Sequence, residues 1–361
     1  MRMLNTFFWK RIAENVKVDL KSLPVFRIIA ACWILLFHFE TFVWLGDLPD
    51  FLMKEPLVGL SNIFRAYPNK EIMYAIEMIR LVSVIFILLG VKARSSGVVF
   101  FVLTLYCKSM QYTLGSIEHD FLLYLLILVM SFSGWGTQLA LIPDRVINRK
   151  WLNFSLSFLA ICLCWGMFTA GIMKALIWVD FNVETSGFMR WLTEGVGMER
   201  NRFLTMHMLN ADWRLLEVMD YLAVIFELTP LLALLFNRKV WLYWLLVAVT
   251  FHFVNILVLN INFRTHLLVY LVFIDWSGLF SYLQGLYKRH KTGIVLTSIV
   301  LFSLRFVELV LGRTDHNLVL IFFKDQYLGH LLFGLVLWVL VGYRLIIEIR
   351  REKLSLNKVK S

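Results

Sequence analysis

Charge is scarce in this sequence: Asp, Glu, Lys and Arg make up 17% of its 361 residues, against 60% hydrophobic, and the mean hydropathy is +0.73. A soluble domain has about a quarter charged residues and about half apolar. An ordinary soluble domain is therefore excluded, and no stretch of the chain reads as one. The four cysteines, Cys32, Cys107, Cys162 and Cys164, all fall inside apolar runs, and no CxxC exists. Cys162 and Cys164 are two apart, a spacing that turns them different ways on a helix. Neither a redox dithiol nor a metal site is expected. No cleavable signal peptide is expected either, because the first twenty residues are too charged and the first apolar run is full length. Internal repeats, low-complexity segments and paired broken helices are also missing, which removes the signature of an inverted-repeat transporter.

Long apolar runs are plentiful. Each is about twenty residues, enough to cross a roughly 30 Å hydrocarbon layer as a helix. The sequence predicts an all-α, polytopic integral membrane protein of about ten transmembrane helices. The expected spans are 23–45, 71–90, 96–114, 121–142, 151–178, 218–236, 240–259, 265–284, 293–312 and 328–347. Residues 1–21, basic and aromatic, suit an amphipathic segment on the membrane surface. Residues 22–285 form the main transmembrane domain, 286–347 add two helices, and 348–361 are a basic tail.

The net charge of +11 does not point to nucleic acid, because the basic residues sit in short loops between apolar runs. With a cytoplasmic N-terminus, the short inner segments hold twenty Lys and Arg, and the longer outer ones hold ten. Both termini are therefore expected to be cytoplasmic. The outer loops 46–70 and 179–217 are mixed in charge and rich in aromatics, suited to capping a cavity.

Polar residues gather in the outer half of the predicted spans. Lys174 lies in WGMFTAGIMKALIW, one turn below Trp178, with Gly166 and Ala170 at four-residue spacing on its face. Two readings stand side by side: a lysine that snorkels to the outer headgroups, or a desolvated amine acting as a general base. His252 and Asn255 share a face in FHFVNILVLNIN. Glu227, in FELTP, stands beside Pro230, which deprives the Phe226 carbonyl of its helical donor and predicts a bend. From the same side come His38 and Glu40, the pair Glu77 and Arg80, then Lys108, Gln111 and Tyr112, and finally Glu118, His119 and Asp120. A polar cavity open to the outer leaflet accounts for that asymmetry.

Taken together, VDLKSLPVFRI, EHDFLLYLLIL, AGIMKALIW, FEL and FHFVN followed by Ile261 and Phe263 resemble the horizontally transferred transmembrane (HTTM) domain, shared with the vitamin K-dependent γ-carboxylases. The resemblance covers about residues 17–285. It implies that Lys174 is the base that deprotonates a reduced, vitamin K-like quinone, with Trp178 the motif's tryptophan and His252 and Asn255 the family's H-x-x-N. It also implies a site on the outer face. The carboxylases carry a second histidine after the fourth span, where this chain reads SFSGWGTQLALIPD, and a large lumenal domain with no counterpart here. Related HTTM proteins without that domain include membrane factors that mature secreted bacterial peptide toxins.

The expected function is thus an HTTM-type protein of the bacterial cytoplasmic membrane with an outer cavity around Lys174. If an enzyme, it is γ-carboxylase-like, of lyase or oxygenase type, acting on a lipid-soluble quinol or in the maturation of an exported peptide. Lys174 and His252 are the candidate catalytic residues. Asn255, Trp178, His119, Glu227 and His38 are candidates for binding substrate. The alternative is a non-catalytic binding, immunity or assembly protein using the outer loops, and a transporter is the weaker third.

Overall fold

The computed structural model describes all residues except 1, 55–59, 65, 116–119, 147–148, 181, 183–185, 199–202, 262–263, 313–317, 319–325 and 361. Among the described residues the regular structure is helical. In chain order the helices are α1 (Arg2–Asn15), α2 (Ser22–Phe37), α3 (Lys70–Leu89), α4 (Ala93–Tyr112), α5 (Phe121–Ser131) and α6 (Arg149–Trp178). Then come α7 (Gly187–Gly197), α8 (Thr205–Leu209), α9 (Trp213–Leu228), α10 (Pro230–Phe236) and α11 (Arg238–Leu259). The last four are α12 (Arg264–Leu271), α13 (Ser277–Arg289), α14 (Lys291–Val310) and α15 (Gln326–Lys360).

Five of these are long and apolar enough to cross a membrane: Lys70–Leu89, Trp151–Trp178, Arg238–Leu259, Lys291–Val310 and Tyr327–Lys353. The pair α9 and α10 makes a sixth if counted as one span bent by 48°. The bend falls at Pro230, as the sequence predicts. The Phe226 carbonyl, stripped of its helical donor, accepts instead from Thr229 Oγ1 at 3.1 Å and Trp244 Nε1 at 3.4 Å. Long apolar helices of this kind make the chain an integral membrane protein.

Three expected spans are interrupted. The helix of 23–45 stops at Phe37, that of 121–142 at Ser131, and 265–284 divides into α12 and α13. In the last, the Asp275 carboxylate accepts from Ser277 N at 2.9 Å in the turn that precedes α13. Irregular backbone at membrane depth must find its partners within the protein, and two buried polar systems show how the first two breaks do so. Arg27 donates to the carbonyls of Trp135 and Gln138, at 3.3 and 3.1 Å, and to that of Leu139. Beyond Phe37, Arg305 donates to the Leu35 carbonyl at 2.6 Å, and Arg80 to the Glu40 carbonyl at 3.1 Å. Glu77 accepts the Phe42 amide at 3.0 Å and pairs with Arg80 at 2.6 Å, the pairing expected from their spacing.

The chain divides into two compact units that interleave along the sequence. One comprises 1–17, 156–274 and 322–361. Its core stacks Trp241 on Trp244 and Trp244 on Phe226, with centroids 5.3 Å apart in each pair. Here α15 lies along α11, where Trp338 Nε1 donates to Thr250 Oγ1 at 3.0 Å. Arg238 ties α11 to Glu348 and Glu352, each at 3.1 Å. The other unit comprises 18–155 and 275–321. In it α3 starts at Asn69, whose side chain accepts from Ile72 N at 2.9 Å, and ends at Gly90, with φ +68°. A Cβ at Gly90 would lie 2.6 Å from Ala140, so both the conformation and the space require glycine.

Candidate functional site

The buried stripe of α6 runs through Met167, Gly171, Lys174 and Trp178, at helical spacing. Gly171 sets the approach of α9: a Cβ there would stand 2.8 Å from Glu227 Cβ and 3.2 Å from the Glu227 carbonyl carbon. The sequence points to Gly166 and Ala170 for this contact. Both are exposed, and Gly166 faces open space, because they lie one position out of register with the packed stripe.

The close approach brings the Lys174 ammonium onto Glu227 Oε1. The Lys174 side chain is 23% exposed and that of Glu227 only 5%, so the pair faces inward. The second carboxylate oxygen, Glu227 Oε2, is buried and has no hydrogen-bond partner among the described residues. A paired cation is the less costly way to hold charge in such surroundings. The amine also stands 5.3 Å from the Trp178 ring centroid, a cation–π distance.

Trp178 is held in turn by α7. Its ring packs against Gly187, where a side chain would collide with it, and meets the Trp191 ring edge-on at 6.4 Å. The Asp220 carboxylate of α9 fastens the start of α7, accepting from Phe188 N and Ser186 Oγ, both at 2.8 Å. Residues Phe188, Leu192, Leu216 and Val258 form a small apolar core beneath it. Part of the 179–217 segment is therefore folded against the Trp178 end of α6.

His252 and Asn255 are both buried on α11. His252 Nε2 lies 2.7 Å from the Tyr270 hydroxyl, and the His266 ring is centred 5.4 Å away. The Asn255 carbonyl accepts the amides of Asn260 and Ile261 where α11 ends. Lys174, Glu227, Trp178, His252 and Asn255 thus belong to one compact unit, and Tyr270 joins them.

His38 belongs to the other unit. Its Nε2 is 3.4 Å from Asp120 Oδ2 and 3.4 Å from the Tyr124 hydroxyl. The same hydroxyl reaches Glu40 Oε2 at 3.4 Å, and that oxygen is 2.5 Å from Lys108 Nζ. Gln111 Nε2 completes the group, 3.4 Å from Glu40 Oε1. His38, Glu40, Lys108, Gln111, Asp120 and Tyr124, from the first, third and fourth expected spans, form a network of their own. His119 lies outside the described residues. Among the described residues no three His, Cys, Asp or Glu side chains are grouped to hold a metal ion.

Sequence reasoning missed Gly171, Tyr270 and Asp220. Two of them had a signal: Gly171 is three before Lys174 and seven before Trp178, and Tyr270 is four after His266 on the same helix face. Asp220 had none, since its role depends on where α7 returns. Compared with protein-family models, curated proteins and solved structures, the chain finds no match in any of the three.

Proposed function

We propose that this is an HTTM-type membrane protein whose Lys174–Glu227 pair handles a proton of a lipid-soluble quinol, or of a substrate met during maturation of an exported peptide. The observation that carries the reading is the pair itself: a lysine in an apolar helix turned inward onto a carboxylate, beside Trp178 and in the same compact unit as the His252–Tyr270 couple. A lysine serving only as a membrane anchor extends toward headgroups.

The chemistry follows from proton counting. Amine and carboxylate share one proton, so the pair has room for a second. Taking it from a substrate O–H leaves an ammonium beside a carboxylic acid, and the substrate oxyanion remains next to the ammonium that stabilises it. Glu227 Oε2, buried and without a hydrogen-bond partner among the described residues, is the atom with capacity to receive that proton. Trp178 offers an aromatic face to a flat ring, and His252 with Tyr270 offers a hydrogen-bonding edge. The remaining expected spans and the Lys and Arg distribution support about ten crossings, both termini cytoplasmic, and a site toward the outer side of a bacterial cytoplasmic membrane.

The test is turnover of reduced naphthoquinones and benzoquinones by the purified protein in nanodiscs under air, with wild type, Lys174→Ala and Glu227→Gln compared. Oxidation that needs both side chains supports the reading; oxidation indifferent to both removes it. The second reading, a binding or assembly protein, draws on α7 and α8, where Trp191, Leu204 and Met206 leave apolar surface exposed. It expects both variants to keep full function in the cell.

A further inference from the structure

A groove of about 470 Å³ runs between α3 and α4, in the compact unit that does not hold the Lys174 pair, and its reading is independent of that pair's function. Its wall is apolar where α3 contributes Met78, Ile79, Val82 and Phe86 and α4 contributes Val99. Two serines in the wall do not make it polar. Ser83 Oγ donates to the Ile79 carbonyl at 2.7 Å, and Ser96 Oγ to the carbonyls of Val91 and Lys92 at 3.0 and 3.2 Å. Their hydroxyl hydrogens are spent on the backbone.

The polar residues of the groove lie at one end. Lys92 and Ser95, both exposed, stand where α3 turns into α4. From Met78 to Phe86 the α3 wall extends eight residues, about 12 Å along the helix axis. The feature is a cationic head end leading into an apolar channel along a membrane-spanning helix. Neighbouring Arg94 is turned elsewhere, its guanidinium 4.8 Å from the Phe132 ring centroid, so Lys92 supplies the charge.

We propose that an anionic phospholipid of the surrounding bilayer occupies this groove, one acyl chain between α3 and α4 and its phosphate on Lys92. Charge complementarity selects this occupant: a cation at the mouth of an apolar channel along a membrane-spanning helix matches an anionic headgroup that carries acyl chains. An apolar helix from a partner protein would leave Lys92 without a counter-charge.

The experiment is lipid retention by the full-length protein, extracted in mild detergent and weighed by native mass spectrometry after exchange with phosphatidylglycerol or phosphatidylcholine at equal concentrations. The wild type is expected to retain phosphatidylglycerol in preference. Lys92→Gln should lower that retention about fivefold, the effect of one juxtamembrane cation. Val99→Trp, which fills the channel and keeps the charge, should lower it as well, and Ile299→Trp on the exposed face of α14 should not. Each variant is first required to elute as the wild type does in gel filtration. Equal retention of the two lipids by the wild type, or Lys92→Gln binding as the wild type, overturns the proposal. So does inorganic phosphate alone displacing phosphatidylglycerol at millimolar concentration, which would make Lys92 a site for a soluble anion.

Discussion

Lys174 of α6 bonds Glu227 of α9, 53 residues later in the chain, through the space left by the missing side chain of Gly171. The pair depends on that glycine, and its worth is measurable from both directions.

Gly171→Ala is expected to cost about 1–3 kcal/mol, the range for overpacking a close contact. The added Cβ falls 2.8 Å from Glu227 Cβ and close to backbone, so α9 has to move. Gly166→Ala meets open space and should leave stability unchanged or slightly raised, since alanine suits a helix better by about 1 kcal/mol. Thermal melts of both variants in the same detergent check the contrast.

Breaking the pair should be worse than removing it. Lys174→Met leaves a buried carboxylate and Glu227→Gln leaves an unpaired amine. The double variant leaves neither charge, and its loss is expected to be smaller than the sum of the two single losses by about 1–3 kcal/mol. Chemical unfolding of the four proteins gives that coupling directly. Additive losses would mean the two side chains do not interact.

Arg305 joins the Leu35 carbonyl to Glu308 at the end of α2. Arg305→Met strands both a carbonyl and a buried carboxylate and is expected to cost about 3–5 kcal/mol. Arg305→Met combined with Glu308→Leu still leaves the carbonyl unpaired, and should recover part of the loss but not all. Midpoints of thermal unfolding would rank the wild type first, the double variant second and the single variant last.

The membrane class, the Pro230 bend and the Glu77–Arg80 pair were legible because each follows from local rules: hydropathy over twenty residues, a missing amide, a spacing of three. The convergence of Lys174, Glu227 and His252 on one compact unit was foreseeable only as a tendency of polar groups to share a depth. Three things were not legible. The breaks after Phe37 and Ser131 lie in runs that read as continuous spans, and they stand because Arg27, Arg80 and Arg305 come from elsewhere in the chain to take the freed carbonyls. The close-packed face of α6 was misjudged by one residue, Gly171 for Gly166 and Ala170, because spacings of three and of four both place a small residue near Lys174. His38 shares residue type and expected depth with the Lys174 group, and its own partners, Asp120 and Tyr124, come from the same compact unit as Glu40.

The central claim, that the Lys174–Glu227 pair handles a substrate proton, is tested most directly by quinol turnover in nanodiscs with wild type and Lys174→Ala side by side, both shown folded by their melts. The account predicts turnover by the wild type and a fall of about a hundredfold or more in the variant, the usual contribution of a positioned group that stabilises a developing oxyanion. Wild-type protein inert toward every reduced quinone tried, or a folded Lys174→Ala as fast as the wild type, would contradict it.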